Sequence, residues 1–358
     1  MPERCTEMKW QRKSKVIFSG GILTAAVLLL AACGSSSGGT SGSASKTVSV
    51  NVGGGKTIKL TPPLNVGIYT SAATASFGEV EDAMLKKQAA AHHINLTIFD
   101  ADFNSATQLQ QLQTAVQTKK YNVLGVLPVD GQVICKVLSQ SAPAAGLLVV
   151  DFDQPLCGRF TQEGTALWQP GTLDYISGYD TKNTLREWIN AVASANPGSH
   201  SVAVVEGVAS DGLSTNTNLL VKQAEQAHPG FKVVTTANTD YSSEEGYQKT
   251  LALLQAYPKV SVIICTQSNL TQGAARAIQQ AGKTKSVFLA DYGGSSAVVA
   301  LMKKGEVQLT GPTYPASEGK VVIQTLLDVL AGKTVPRFVP VPFTVITQKN
   351  LASYKPEY

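Results

Sequence analysis

Short β-rich runs alternate with longer helical runs along the chain from Leu64 onward. The β-rich runs predict nine strands, at residues 65–69, 95–100, 123–126, 147–151, 202–205, 232–236, 260–265, 286–290 and 307–311. Between them, apolar residues recur at helical spacing, as at Ala106, Leu109, Leu112 and Val116. Strands separated by helices of about 10–15 residues predict βαβ units, and therefore parallel sheets with helices on both faces.

The length of the chain favours two sheets over one very wide sheet. The 326 residues after Ala32 exceed the size, about 250–300 residues, at which single hydrophobic cores tend to divide. We therefore expect an α/β fold of two lobes. Ligands of such open sheets bind outside the carboxyl ends of the strands, so the residues that follow each strand are candidates for a site.

The N-terminal segment has the layout of a secretory signal. Basic residues precede an apolar run over residues 16–32, and the sequence Leu-Ala-Ala-Cys then ends at Cys33. This ending resembles the lipobox of bacterial lipoproteins, which implies a signal peptide over residues 1–32 and a lipid anchor on Cys33. The alternative is a transmembrane anchor, but the run of about 17 residues is at the short limit for a span and contains Gly20 and Gly21.

Residues 33–62 are expected to form a flexible leash, because residues 34–45 contain almost only Gly, Ser and Thr. The apolar residues within 46–60 leave open whether this part adds a short strand or extends the leash. Removing residues 1–32 lowers the formal charge from +5 to +2. The rest of the chain has no basic block, so we expect no nucleic-acid partner.

The sequence predicts neither catalysis nor a cofactor. Three Gly-Lys-Thr triplets lack the upstream glycine of a phosphate-binding loop, and the motifs of serine hydrolases and zinc proteases are missing. The carboxylates after the strands show no spacing that indicates an acid–base pair. His92, His93, His200 and His228 are scattered, so no metal site is expected.

Three cysteines remain after Cys5 and Cys33 are assigned to the signal and the anchor. Cys135 and Cys157 are candidates for a disulfide, because both follow neighbouring predicted strands at one edge of a sheet. The sequence does not decide whether they pair. Cys265 is expected to be a buried free thiol.

Polar and aromatic residues accumulate just after the predicted strands. Carboxylates and amides can bind hydroxyl groups, and aromatic rings can cover the C–H face of a sugar. The alternative for each residue is that it caps the next helix. The residues in question are Ser76, Phe77, Asp151, Phe152, Asp153, Asp240, Tyr241, Gln267, Ser268, Asp291, Tyr292, Thr313 and Tyr314.

Several motifs resemble those of the type I periplasmic solute-binding proteins, in particular the ribose-binding branch of sugar ABC transporters. They occur in the family's order: VGIYT at 66–70, QLQQL at 108–112, VLPVD at 126–130, LVVDFD at 148–153, AARAI at 274–278 and LADYGG at 289–294. The resemblance implies two Rossmann-like lobes joined by three hinge crossovers, near residues 176–179, 312–315 and 340–343. The N-terminal lobe would contain residues 63–177 and 314–341, and the C-terminal lobe residues 178–313 and 342–358.

The resemblance also implies a solute held in the cleft between the lobes by hinge closure. The family's ligand-contacting positions fall on Ser76, Phe77, Asp151, Phe152, Thr217, Tyr241, Gln267, Thr313 and either Asp291 or Tyr292. Phe152 and Thr217 stand where the family has arginines, so ribose itself is not expected. A polyol, an amino sugar, or a ligand with an amine or aromatic group suits the remaining acids and aromatics better.

Together these features predict a monomeric lipoprotein on the outer face of the cytoplasmic membrane, or in the periplasm, that delivers a small carbohydrate-like solute to an ABC permease. A ligand-presenting sensor for a membrane kinase or receptor would have the same sequence features. A hydrolase would need a paired acid and base in the cleft. Residues 154–172 form a longer excursion than simple members of the family need, and either reach over the cleft mouth or lie on the surface.

Overall fold

The computed structural model describes residues 46–73, 75–209 and 211–358. Its strands are β1 (Val48–Gly53), β2 (Lys56–Leu60), β3 (Asn65–Thr70), β4 (Asn95–Asp100), β5 (Val123–Val126), β6 (Leu148–Phe152), β7 (Tyr175–Ser177), β8 (His200–Glu206), β9 (Phe231–Asn238), β10 (Val260–Cys265), β11 (Phe288–Gly293), β12 (Leu309–Pro312), β13 (Phe338–Pro340) and β14 (Ile346–Thr347). Its helices are α1 (Ser76–Ala91), α2 (Ser105–Thr118), α3 (Ala142–Ala144), α4 (Lys182–Ala195), α5 (Gly212–Ala227), α6 (Ser243–Ala256), α7 (Ser268–Gln280), α8 (Ser296–Lys303) and α9 (Pro315–Leu330).

Two six-stranded sheets form the predicted lobes. The first has the order β13-β7-β6-β5-β3-β4 and is parallel throughout. The second has the order β14-β12-β11-β10-β8-β9, in which only β14 is antiparallel to its neighbour. The inner strands are apolar and buried on both faces, as expected where helices cover both sides of a parallel sheet. The α/β fold of two lobes is therefore confirmed.

The chain passes between the two sheets three times. It leaves the first sheet after β7, returns after β12 through α9, which packs on α1, and leaves again after β13. These crossings fall after Ser177, Pro312 and Pro340, in the regions where the sequence predicts crossovers.

Residues 48–60 fold as an antiparallel hairpin and are not part of the leash. Val52 and Leu60 are fully buried in the core of the first lobe. The turn uses Gly53, Gly54 and Gly55, all at positive φ, where other residues would be strained. Of the two alternatives that the sequence leaves open for residues 46–60, the structure has the strand, so the leash does not extend over residues 48–60. The predicted signal peptide, Cys33 and residues 34–45 lie outside the described residues.

Cys135 and Cys157 form a disulfide, with the two Sγ atoms 2.06 Å apart. The pairing that the sequence leaves open is thus present in the structure, and Cys265 is free and buried. The disulfide joins the segment after β5 to the excursion at residues 154–172. No helix among the described residues has the length and apolar character needed to cross a membrane.

Candidate ligand-binding cleft

A cleft of about 190 Å³ lies at the carboxyl ends of ten consecutive strands, β3 to β12. Each strand contributes at least one lining residue at or after its end, for example Phe103 after β4, Asp153 after β6 and Tyr241 after β9. The lining therefore comes from both sheets. This is the position at which open α/β sheets bind ligands.

Six of the fourteen residues singled out from the sequence line this cleft, and eight do not. The lining residues are Phe77, Asp153, Tyr241, Gln267, Tyr292 and Thr313. The residues outside the lining are Ser76, Asp151, Phe152, Thr217, Asp240, Ser268, Asp291 and Tyr314.

Three of the residues outside the lining, Asp151, Phe152 and Asp291, are fully buried within the protein. The Asp151 carboxylate accepts a hydrogen bond from the Leu156 N–H at 3.1 Å, and the Phe152 ring is fully buried in the core. Asp291 is fully buried and accepts hydrogen bonds from the Oγ1 atoms of Thr271 and Thr310, at 2.5 and 2.6 Å. Both carboxylates lie within their strands, whereas the lining residues lie mostly at the strand ends.

The other five have local roles or are buried. Ser268 Oγ donates to Asp291 Oδ2 at 3.3 Å, and Asp240 Oδ1 accepts from the Ser242 N–H at 2.8 Å. Ser76 is the first residue of α1, and Thr217 is fully buried in α5. Tyr314 precedes α9, and its ring packs edge-on against Tyr354.

The strained residue Asp153 presents its carboxylate to the cleft. Its φ of 63° lies in the left-handed region, which is unfavourable for residues other than glycine and recurs at functional sites. The Asp153 N–H donates to Glu318 Oε1 and to the Ile176 carbonyl, both at 3.0 Å. The Tyr175 hydroxyl donates to the Asp153 carbonyl at 2.6 Å. Three hydrogen bonds thus hold the Asp153 backbone in place, while the Asp153 carboxylate has no hydrogen-bond partner among the described residues.

Two further aspartates in the lining were not singled out from the sequence. Asp180 follows β7 and is only 6 % exposed, and Asp211 caps α5 by accepting from the Ser214 N–H. The Tyr241 hydroxyl donates to the Asp211 carboxylate. An N-cap position after a strand was a usable signal for Asp211. Asp180 follows a three-residue strand that the sequence does not reveal.

The electrostatics of these aspartates reflect burial and mutual repulsion. Burial, followed by the charge of Asp211, raises the pKa of Asp153 to about 7. Burial, with Asp153 and Asp211 nearby, holds the pKa of Asp180 well above its usual range. Burial also raises the pKa of Asp211, although its hydrogen bonds to Tyr241 and Ser214 oppose the effect.

Aromatic rings line the cleft from both lobes. The Phe77 ring packs edge-on against Tyr179 and Tyr358, with centroids 6.5 and 6.2 Å apart. Phe103 from the first lobe stacks on Tyr241 from the second, with centroids 5.9 Å apart and planes 24° apart. Tyr358 reaches the site because the C-terminal segment folds back over α8, and nothing in the local sequence indicates this.

Polar acceptors complete the lining. Gln267 Oε1 and Thr266 Oγ1 are buried and have no partner among the described residues. The Thr313 and Tyr358 hydroxyls lie 3.1 Å apart. The cleft therefore offers aromatic faces and many groups able to accept a hydrogen bond.

Known proteins are similar to this chain in sequence. The ribose import binding protein of Bacillus subtilis is 23 % identical over 265 residues, which are 74 % of this chain and 81 % of that protein. The D-ribose/D-allose-binding protein of Pseudomonas aeruginosa is 24 % identical over 213 residues, which are 60 % of this chain and 64 % of that protein. Both relatives are named as binding proteins.

A solved structure shows the same fold. The ABC transporter solute-binding protein of Bacillus halodurans C-125, with bound myo-inositol, superposes with a TM-score of 0.72 at 18 % identity, covering 82 % of this chain and 98 % of that one. The family model for the periplasmic binding protein domain matches residues 66–334, which is most of the chain. The chain belongs to the periplasmic binding protein family.

Proposed function

We propose that this protein is the extracytoplasmic substrate-binding component of an ABC importer and binds a small carbohydrate-like solute in the cleft between its lobes. The observation that carries the proposal is the cleft itself, which ten strand ends from both sheets line with aromatic rings and unpartnered polar groups. Its volume of about 190 Å³ is below that of sites for drug-sized ligands and suits a small solute.

Binding is coupled to closure of the cleft. A solute in contact with Asp153 in the first lobe and Gln267 in the second reaches both only when the lobes approach each other. The three crossovers between the sheets act as the hinge, so the ligand selects the closed form. A permease in the same membrane then recognises that form. The binding protein itself performs no catalysis.

The proposal includes anchoring through a lipid on Cys33. The basic N-terminal residues, the apolar run and the small residues before Cys33 support it. Cys33→Ser should release the protein from the membrane fraction into the soluble fraction, whereas Cys265→Ser should leave it membrane-bound. If Cys33→Ser stays in the membrane fraction as Cys265→Ser does, lipid anchoring at Cys33 is contradicted.

A thermal-shift screen tests the binding function. Residues 45–358 form a compact unit of their own, so this segment is purified, unfolded to remove carried-over ligand, refolded and screened with sugars and polyols. A ligand at 100 times its Kd stabilises the native state by about 2.7 kcal/mol. We expect stabilisation by one chemical class, reduced in Asp153→Ala and retained in the surface variant Asp328→Ala. The absence of any response from folded protein would overturn the carbohydrate assignment.

A transport assay tests the importer role separately. Deletion of the gene should abolish uptake of the solute found in the screen, and Asp153→Ala should reduce uptake in proportion to its loss of affinity. If uptake persists while a transcriptional or motility response to the solute is lost, the protein presents its ligand to a sensor instead.

A further inference from the structure

Three carboxylates with no protein cation beside them share the cleft. Asp153, Asp180 and Asp211 all line it, and no Lys, Arg or His is among the described lining residues. From this arrangement we infer that the ligand is a polyhydroxylated amine, such as an amino sugar or amino polyol, whose ammonium group binds the Asp180 carboxylate beside Asp153 and Asp211. The inference rests on the proposed function and specifies its substrate class.

The Asp180 residue lines the cleft, and its carboxylate has no hydrogen-bond partner among the described residues. Only 6 % of the residue is exposed, and its backbone carbonyl is fixed by a 2.7 Å hydrogen bond from Asn216 Nδ2. A buried carboxylate normally has a cation or several donors around it, because an unpaired buried charge is costly. An ammonium group supplies both charge and donors.

Repulsion among the carboxylates adds to this cost. Burial and the proximity of Asp153 and Asp211 hold the pKa of Asp180 well above its usual range, so ionisation of all three carboxyl groups in the empty cleft is unfavourable. The ion pairs among the described residues, Arg186–Glu163, Arg276–Glu244 and Lys333–Asp328, all lie outside the cleft lining. A neutral sugar would leave these carboxyl groups without a cation, whereas one ammonium group favours their ionised form.

A metal ion is a poorer match than an amine. Within residues 46–73, 75–209 and 211–358, no group of three or more His, Cys, Asp and Glu side chains is arranged to hold a metal. The lining also contains the aromatic residues Phe77, Phe103 and Tyr241, none of which is fully buried. Aromatic faces together with carboxylates attract organic cations. Metal ions instead require closely converging oxygen ligands.

The other polar groups account for the hydroxyls of the ligand. Gln267 Oε1 and Thr266 Oγ1 lack partners among the described residues and can accept hydrogen bonds from hydroxyl groups. The Thr313 hydroxyl can act as donor or acceptor. These groups come from the second lobe, so a ligand with an amine at one end and hydroxyls around the ring would use the full lining.

The charge of the ligand would also control closure. Asp153 belongs to the first lobe and Asp211 to the second, and the two charges are near enough that Asp211 raises the pKa of Asp153. Their repulsion opposes closure of the empty cleft. A bound ammonium converts this repulsion into attraction from both sides, so an amine-bearing ligand favours the closed form more than its neutral analogue does.

Matched ligand pairs test the inference on residues 45–358. Calorimetric titrations compare D-glucosamine, D-galactosamine and an aminodeoxyinositol with D-glucose, D-galactose and myo-inositol, and with N-acetyl-D-glucosamine, which lacks the charge. We expect at least one amine to bind about 100-fold more tightly than its neutral partner. In the Asp180→Asn variant the affinity for that amine should fall by about tenfold or more, as expected for loss of a charge-assisted hydrogen bond. The surface variant Asp328→Asn should leave the affinity for the amine unchanged.

The outcomes separate the inference from the proposed function. Binding of neutral sugars or polyols as tightly as their amines overturns the inference and leaves the binding function standing. If neither the amines nor the neutral compounds bind, both the inference and the proposed binding function are overturned. Titration with CaCl₂ or MgCl₂ alone is a further comparison. Binding of either metal ion that is abolished in Asp180→Asn overturns the inference in favour of a metal site. Asp153→Asn provides a second variant if Asp180→Asn does not fold, as judged by circular dichroism.

Discussion

The backbone N–H of Asp153 donates a 3.0 Å hydrogen bond to Glu318 Oε1, which ties the end of β6 to the first turn of α9. Glu318 is fully buried, and its Oε2 has no partner among the described residues. Burial, with Asp153 and Glu81 nearby, holds the pKa of Glu318 well above its usual range. The buried carboxyl groups of Glu318 and Glu81 therefore lie next to the lining residue Asp153.

These carboxyl groups predict that the ligand-free protein becomes less stable as the pH rises. The pKa of Asp153 is about 7 in the folded protein against 3.8 ordinarily, so the folded state holds a proton that the unfolded state has released. Stability is therefore lost as the pH rises from about 4 through 7. Glu81, Asp180, Asp211 and Glu318 have pKa values raised in the same direction. Urea unfolding of residues 45–358 at pH 5, 6, 7 and 8 should show a falling free energy of unfolding.

The variant Glu318→Gln should flatten this pH dependence. The amide oxygen can still accept from the Asp153 N–H, while the charge that repels Asp153 and Glu81 is removed. At pH 8 we expect the variant to be more stable than the wild type, and this difference in the free energy of unfolding should shrink as the pH falls towards 5. Glu187→Gln, an exposed substitution on α4, should leave the pH profile unchanged. Destabilisation of Glu318→Gln by the same amount at every pH would contradict this account.

Asp291→Asn should affect stability much more than ligand affinity. The buried Asp291 carboxylate accepts hydrogen bonds from Thr271 Oγ1, Thr310 Oγ1 and the Gly294 N–H. An amide would place N–H groups where these donors need an acceptor, at a cost of about 2–3 kcal/mol. The free energy of unfolding should fall by this amount while the Kd of the folded protein changes less than twofold. Asp153→Asn should show the opposite pattern, and a large rise in Kd for Asp291→Asn would contradict a purely structural role.

Most of the strands could be predicted from the sequence because buried parallel strands are continuous apolar runs. The segment Val260–Cys265 is an example, and β10 has these bounds. Strand β7 was missed because three residues are too few to show a period. The hairpin was readable in principle, since Val50 and Val52 alternate with polar residues before three glycines, but its burial depends on packing against the distant strands of the first lobe.

The site was less predictable than the fold. Position after a strand identified Asp153 and Tyr241, but the same rule selected Asp151 and Asp291, whose carboxylates are used inside the lobes. Sequence spacing gives the strand end only to within one or two residues, and that margin separates a lining residue from a buried one. Tyr358 depends on how the C-terminal segment folds back, which no local pattern encodes.

Removal of the Cys135–Cys157 disulfide should destabilise the first lobe. The bond closes a loop with a sequence separation of 22 residues, for which the loss of chain entropy corresponds to about 3 kcal/mol at 25 °C. The double variant Cys135→Ser/Cys157→Ser should unfold at a correspondingly lower urea concentration. Dithiothreitol should lower the stability of the wild type to that of the variant and have no further effect on the variant. Equal stability of wild type and variant under oxidising conditions would contradict the prediction.

The stacked pair Phe103–Tyr241 should slow release of the ligand. Phe103 follows β4 in the first lobe and Tyr241 follows β9 in the second, so their contact exists only while the lobes are close. Aromatic pairs contribute about 0.5–1.5 kcal/mol, so Phe103→Leu should raise the dissociation rate constant about two- to twelvefold and leave the association rate constant nearly unchanged. Stopped-flow measurements with the ligand identified by the screen would give both constants. Phe103→Tyr should retain the slow release, and Tyr257→Leu, at an exposed tyrosine outside the cleft, should have no effect. An unchanged dissociation rate in Phe103→Leu would show that closure does not depend on this contact.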